Sequence, residues 1–155
     1  MLESFDSGKA TLTEWLQRHA LLAGERRTGR TFVWHRHDKV VVAYYTLAAH
    51  TVEADDVSRS IAHGGPSRIP AVLLARLALD RSLHGTGRGG ALLSDALSRA
   101  LDASRTVAAR LVVVDAIDEE AEAFYRHFKF KQTPVGGRLV MKMSDVEATY
   151  SGLRH

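Results

Sequence analysis

Seven consecutive residues, His84-Gly85-Thr86-Gly87-Arg88-Gly89-Gly90, have the composition of a phosphate seat. An apolar run, Ile69 to Leu79, precedes them, and a run with helical periodicity, Ala91 to about Ser104, follows. A strand that feeds a helix through glycines leaves the N–H groups at the helix N-terminus uncovered. The helix dipole adds partial positive charge at the same place. Such an end binds anions. A phosphorylated ligand is expected there.

Two nucleotide-binding patterns are tested by the neighbouring residues. Gly85-x-Gly87-x-x-Gly90 matches the dinucleotide fingerprint, and Asp115 ends the next predicted strand at about the required distance. In the dinucleotide fold, however, the first glycine follows its strand almost directly. Here Asp80-Arg81-Ser82-Leu83-His84 intervene. Only 40 residues (155 minus 115) remain after Asp115, too few for the rest of a doubly wound sheet. A Walker-type loop is excluded because no Lys-Ser or Lys-Thr follows the glycines.

The elements that must position the turn can be read from periodicity. Thr11 or Thr13 is expected to cap a helix with Leu12, Trp15, Leu16, His19 and Ala20 on its apolar face. Gly24 to Arg30 reads as a polar loop. Thr31 to Trp34 and Val40 to Ala48 are β-branched and aromatic, and His37-Asp38-Lys39 joins them as a hairpin. A short helix is expected over Asp55 to Ile61, a loop over His63 to Ser67, and a strand over Ala71 to Leu79 opened by Pro70. In the helix after the glycines, Leu92, Leu93, Ala96, Leu97, Ala100 and Leu101 form the apolar face. Arg110 to Val114 reads as a buried strand. Asp118 caps a helix with Phe124 and Phe128 on its core face, and Arg138 to Met143 is a last strand. The sum is a single mixed α/β domain, residues 1–155, with most strands in one sheet.

Composition narrows the class. The chain has no cysteine, which excludes disulfides, thiolate metal sites and a cysteine nucleophile. No metal site is expected. No apolar stretch reaches membrane-spanning length and no signal pattern opens the chain, so a cytoplasmic protein is expected. The formal net charge is a modest +3. Its distribution is uneven: from Arg18 to Lys39 there are six Lys/Arg against two acids, a local net of +4, with His19, His35 and His37 among them. Such a stretch is either a solvated basic face or a site for a polyanion. Arg76 stands alone in an otherwise apolar strand and must face solvent, a partner or a substrate cleft.

Taken with its flanks, the glycine turn resembles the acetyl-CoA-binding motif of the GNAT (GCN5-related N-acetyltransferase) family. That motif is Gln or Arg, two residues, Gly, one residue, then Gly or Ala, after a strand. Gly87 and Gly89 match, and His84 departs from Gln or Arg. Ala121, Ala123, Phe124, Tyr125 and Phe128-Lys129-Phe130 resemble the family's later helix, with Lys129 where glycine is usual. The likeness is closer to one branch, the acetyltransferase toxins of bacterial toxin–antitoxin pairs. Phe5-Asp6-Ser7-Gly8, Trp15-Leu16, Arg30 to Val33, Ala43 to Leu47 and Ile69 to Ala78 look like that branch, in order along residues 4 to 143.

The resemblance implies an α/β (α+β) GNAT fold, a mixed and mostly antiparallel sheet flanked by helices, with acetyl-CoA at a splayed strand pair. It implies an acetyl-CoA-dependent N-acetyltransferase that acts on the α-amine of aminoacyl-tRNA and blocks translation. It also implies a cognate antitoxin of ribbon-helix-helix type and a homodimer. The donor's pyrophosphate would lie on His84, Gly85, Thr86, Gly87, Arg88, Gly89 and Gly90. Its pantetheine arm would pair with the backbone of Leu77, Ala78 and Leu79. Tyr125 matches the family tyrosine whose hydroxyl approaches the sulfur; with an ordinary pKa of about 10 it stays protonated and can act as general acid. Arg26, Arg27, Arg30 and Arg76 are the candidate tRNA-binding residues, since phosphate contacts need cations rather than a motif. No general base stands out: His50, Glu53 and His84 each read more readily as satisfied surface groups, and an aminoacyl ester's amine is acidic enough to need none. Two rival readings keep the fold: an acetyltransferase for a small amine or protein N-terminus, and a non-catalytic acetyl-CoA-binding regulator. The basic stretch and the toxin-like segments oppose the first, and the presence of Tyr125 opposes the second.

Overall fold

The structure, a computed structural model, describes residues 2–19, 26 and 28–150. In chain order it runs α1 (Ala10–Arg18), β1 (Arg30–His35), β2 (Val41–Glu53), a 3-10 turn (Ala54–Asp56), α2 (Arg59–Ala62), β3 (Arg68–Leu79), a second 3-10 turn (Arg81–Leu83), α3 (Arg88–Thr106), β4 (Leu111–Asp115), α4 (Glu119–His127), β5 (Lys131–Gln132), β6 (Arg138–Lys142) and α5 (Met143–Tyr150). The strands form one sheet in the order β1-β2-β3-β4-β6-β5. The mixed α/β class and the one-sheet organisation are as expected from the sequence.

Two compact units divide the residues. The first joins the chain up to Ala48 with Leu74–Ala96. Its β1–β2 ladder is antiparallel, with Phe32 opposite Tyr45 and Thr31 opposite Thr46. The Phe32 and Tyr45 rings stack at 5.2 Å, and the two threonine hydroxyls bond at 2.9 Å, the cross-strand pairs that stabilise a ribbon. The core here is Phe5, Leu16, Val41, Tyr44 and Ala78. The second unit joins Ala49–Leu73 with Leu97 onward. In it β6 lies antiparallel to β4, Leu111 opposite Lys142 and Asp115 opposite Arg138. Val52, Val57, Ile61, Ile69, Ala71, Leu111, Val113 and Val140 form its core.

Several boundaries differ from expectation, each for a local reason. Neither Thr11 nor Thr13 caps α1. The helix starts after Lys9, and the Ser7 hydroxyl arranges the entry by donating to Lys9 O and accepting from Lys9 N, while Thr13 Oγ1 accepts from Ser7 N. His19 is exposed at the end of α1 instead of on its apolar face, and Ala20 lies outside the described residues. The helix expected over Asp55 to Ile61 is split, because Ser58 in extended conformation caps a new turn by accepting from Ile61 N. Pro70 sits inside β3 and not before it, and its carbonyl accepts from Arg110 N at 2.8 Å. Strand β5 and helix α5 were not anticipated; two residues and eight residues give little periodicity to read.

Helix α4 is capped by Asp118, whose carboxylate accepts from Ala121 N at 2.8 Å, as the sequence indicates. Its core face is a correction. Tyr125, not Phe124 or Phe128, is the buried residue of this helix. The helix end explains it. Phe130 N bonds Tyr125 O and Lys129 N bonds Arg126 O, the paired bonds of a Schellman motif. The reversal carries Phe130 back under Tyr125, their rings edge-on at 5.5 Å. Such an end needs a left-handed residue, and Lys129 supplies it at φ 73° where a glycine is usual. The turn therefore keeps its shape despite the substitution, at a steric cost of roughly 1–2 kcal/mol. Glycine would return part of that gain as unfolded-chain entropy, about 0.5–1 kcal/mol. Lys129→Gly is accordingly expected to stabilise the protein by ~0.5–1 kcal/mol, read as a rise of about 2–3 °C in melting temperature by calorimetry. An unchanged or lower melting point would show that the lysine side chain earns its place by contacts.

Candidate active site

The passage from β3 to α3 is built around Asp80. One carboxylate oxygen accepts from Asp6 N at 3.0 Å. The other accepts from Ser82 N at 3.0 Å and from Ser82 Oγ at 2.9 Å. Burial alone would raise the Asp80 carboxyl; the N–H groups of Asp6 and Ser82 outweigh it and hold the group below its ordinary value. Arg81 N returns a bond to Asp6 O, and the Arg81 guanidinium lies 3.5 Å from the Asp6 carboxylate. So Phe5-Asp6-Ser7-Gly8 acts as a latch on the turn. Gly8, at φ 82°, passes so close that an added Cβ would touch Arg81 and His84 side chains at 3.5–3.7 Å.

His84, the departure from Gln or Arg, ties the turn back to the strand: its Nε2–H donates to Leu79 O at 2.8 Å. Of the candidate pantetheine partners, Leu77 and Leu79 are half-buried and Ala78 is core. Thr86 Oγ1 donates to Leu83 O at 2.5 Å. Gly85 and Gly87 are both left-handed, at φ 76° and 80°, with no atom within 4 Å of where a Cβ would stand. The helix starts at Arg88, three residues earlier than expected, so Gly89 and Gly90 belong to its first turn. The change sharpens the seat. Unpaired N–H groups of Arg88, Gly89 and Gly90 are those of a helix N-terminus, and no side chain at 89 or 90 can cover them. Open space over Gly85 and Gly87 fits a phosphate-bearing donor. Arg88 also lines a cavity of about 730 Å³ with Val33, Trp34, His35, Arg36, Val42, Ser82 and Leu83.

Tyr125 is 7% exposed and its phenol is pushed up from its ordinary pKa by burial alone, so it stays protonated throughout the neutral range. Phe124 and Phe130 fix the ring edge-on at 5.3 and 5.5 Å. Its hydroxyl has no hydrogen-bond partner among the described residues and is not sealed from solvent. That is the state of a hydroxyl able to donate elsewhere.

The base candidates separate. Glu53 is exposed and pairs with Arg68 at 3.4 Å, as a surface group should. His84 is satisfied by Leu79. His50 is a correction: it lies inside β2, and its Nε2 is buried without a partner. Asp115 and Arg138 stand near it, joined to each other by two bonds of 2.8 Å. Arg138 first, through its hydrogen bonds, lowers the Asp115 carboxyl. Burial first, then Arg138, lowers His50, with Asp115 opposing. The imidazole is therefore held neutral.

The basic candidates lie in varied settings. Arg30 opens β1 opposite Leu47 and is exposed, Arg26 is exposed in a turn, and Arg27 lies outside the described residues. Arg76 sits in β3 with its guanidinium 4.0 Å from the centroid of the Trp15 ring. Trp15 in turn stacks on Tyr44 at 6.0 Å. The sequence offered no signal for this column, because Trp15, Tyr44 and Arg76 are far apart in the chain.

Two measurements check this geometry. Gly87→Ala should cost about 1–2 kcal/mol of stability from its positive φ and weaken acetyl-CoA binding at least tenfold by titration calorimetry. Gly64→Ala carries the same strain, φ 72° with open space around it, and should cost similar stability while leaving that affinity unchanged. Equal affinity in both variants would remove the turn from donor binding. For His50, the lowered native pKa means that the unfolded chain takes up a proton near pH 6.5 while the native state resists it. Stability is thus lost as pH falls below about 6.5, and His50→Leu should flatten that loss in denaturant titrations between pH 7.5 and 5.5. Asp115 does not contribute there, since its stabilisation fades only below its unfolded value of about 3.9.

No protein-family model matches the chain. A curated relative, the tRNA-acetylating toxin of Mycobacterium tuberculosis (strain ATCC 25618 / H37Rv), is 37% identical over 146 residues, 94% of this chain and 87% of the relative. AtaT complexed with acetyl-methionyl-tRNAfMet superposes with a TM-score of 0.90 at 29% identity, covering 97% of this chain and 92% of that one. A tyrosine-to-phenylalanine variant of AtaT, bound to the C-terminus of the antitoxin AtaR and acetyl-CoA, gives 0.83 at 28% identity over 97% and 90%. With a glycine-lined helix start, a buried tyrosine and this likeness over nearly its whole length, the chain belongs to the acetyltransferase toxins of the GNAT family.

Proposed function

We propose that this chain is a single-domain toxin that transfers acetyl from acetyl-CoA to the α-amine of an aminoacyl-tRNA and thereby blocks translation. The observation that carries the reading is the glycine-lined start of α3, latched by Asp80 and open above Gly85 and Gly87, in a chain 37% identical to a tRNA-acetylating toxin. Acetyl-CoA supplies an activated thioester. Gly85 to Gly90 would hold its pyrophosphate through N–H groups, and the backbone of Leu77, Ala78 and Leu79 its pantetheine arm. As the amine displaces the sulfur and loses its own proton to solvent, Tyr125, which burial keeps protonated, would give a proton to the departing thiolate and regain one from solvent. Arg26, Arg27, Arg30 and Arg76 would meet the tRNA's phosphates as cations. The partners are charged tRNA, an antitoxin of ribbon-helix-helix type and a second copy of the chain. Such an acceptor puts the enzyme in the cytoplasm. Among the described residues no helix is long and apolar enough to cross a membrane.

The test is incubation with acetyl-CoA and total charged tRNA, then mass spectrometry of the released aminoacyl groups. Acetylated amino acids are expected, and their absence would reject the acceptor. In the same assay Tyr125→Phe should keep acetyl-CoA affinity within twofold and lose turnover by a factor on the order of 10². Turnover close to that of the parent would remove Tyr125 from the mechanism.

A further inference from the structure

Arg76 is a cation in mid-strand with no anion to neutralise it among the described residues. The guanidinium carbon lies over the Trp15 ring, 4.0 Å from its centroid. It makes no hydrogen bond or ion pair among the described residues. Burial weakens its hold on its proton and only Tyr44 acts the other way. A half-buried charge without a carboxylate loses hydration and recovers little of it within the chain. The column beneath it is nevertheless rigid. Trp15 stacks on Tyr44 with their planes 15° apart, and Tyr44 Oη donates to Leu12 O at 2.6 Å. Phe5 meets the Tyr44 ring edge-on at 5.6 Å. A planar fork of donors, pre-oriented on an aromatic support and left unpaired, is a receptor for a planar or tetrahedral oxyanion.

We propose that Arg76, braced by Trp15, receives the terminal phosphodiester of the acceptor tRNA. This rests on the function proposed above and specifies where the acceptor's end is held. The donor's phosphates have their own seat at the start of α3, on a different element. Arg76 shares the Trp15 side of β3 with Ala78, two residues on, whereas the intervening Leu77 points to the other side. Of all the tRNA's phosphates, the terminal one is nearest the amine that is acetylated. A cation one residue from the backbone positions assigned to the donor's arm can reach that phosphate and none far up the stem. An arginine is suited to the task because it stays charged at every working pH and grips two oxygens at once.

The experiment compares three acceptors: charged tRNA, an aminoacyl cytidylyl-adenosine dinucleotide with one phosphodiester, and aminoacyl-adenosine with none. Arg76→Gln should lower kcat/KM at least tenfold for the first two and less than twofold for the third. Arg76→Lys, which keeps the charge but loses the fork and the stacking, should recover only part of the loss. Trp15→Phe should follow Arg76→Lys. Acetyl-CoA affinity, measured alongside, should stay near that of the parent, and the melting temperature of Arg76→Gln should not fall. Equal losses on all three acceptors, or on tRNA alone, would overturn the assignment. If the parent acetylates none of the three, the proposed function itself fails; if the parent is active and the variants do not discriminate, only the role of Arg76 fails.

Discussion

Everything at the donor end depends on one carboxylate. Asp80 leaves β3 and must stop the strand, start a 3-10 turn and fix the first residues of the chain, all within a few ångströms. It does so with two oxygens and three donors. Had any of those donors been absent, the desolvated carboxylate would be costly, and a short flexible turn would remain where a fixed row of N–H groups is required. The glycines can stay bare because their neighbours do the holding: Thr86 and His84 anchor to Leu83 and Leu79 carbonyls, outside the cradle itself.

Different physics governs the second unit. There the ring of Tyr125 is fixed by the helix end that follows it. Lys129 accepts an unfavourable backbone angle so that Phe130 can return beneath the ring. Nearby in the fold's own bookkeeping, His50, Asp115 and Arg138 form a cluster with one bond pair made well and one nitrogen left unmade. Buried orphan groups are rare enough that this one marks a place where packing has not been optimised for stability alone.

Much of this is legible in the sequence. The glycine turn, the hairpin, the Asp118 cap and the apolar face of α3 follow from short-range patterns, and the family from the order of several such patterns. What escaped is long-range. No local rule links Asp6 to Asp80, or Trp15 to Arg76, so the latch and the aromatic column appear only once the chain is folded. A 3.6-residue period places Phe124 and Phe128 together on the core face of α4 and leaves Tyr125 off it. The period ignores what a helix terminus does, and the Schellman turn reassigns the buried position. A strand ending at Ala48 leaves His50 at the surface; β2 instead runs on to Glu53, and His50 is half-buried within it with its Nε2 covered.

The latch between Asp6 and Asp80 spans 74 residues. During synthesis the first part of the chain to emerge therefore stays unfinished until a segment made much later arrives to close it. Contacts of such separation form late, after the entropy of a long loop has been overcome. A chain interrupted before Asp80 carries no donor seat at all. The glycine-lined start of α3 is therefore held only once two segments far apart in the chain have both been made.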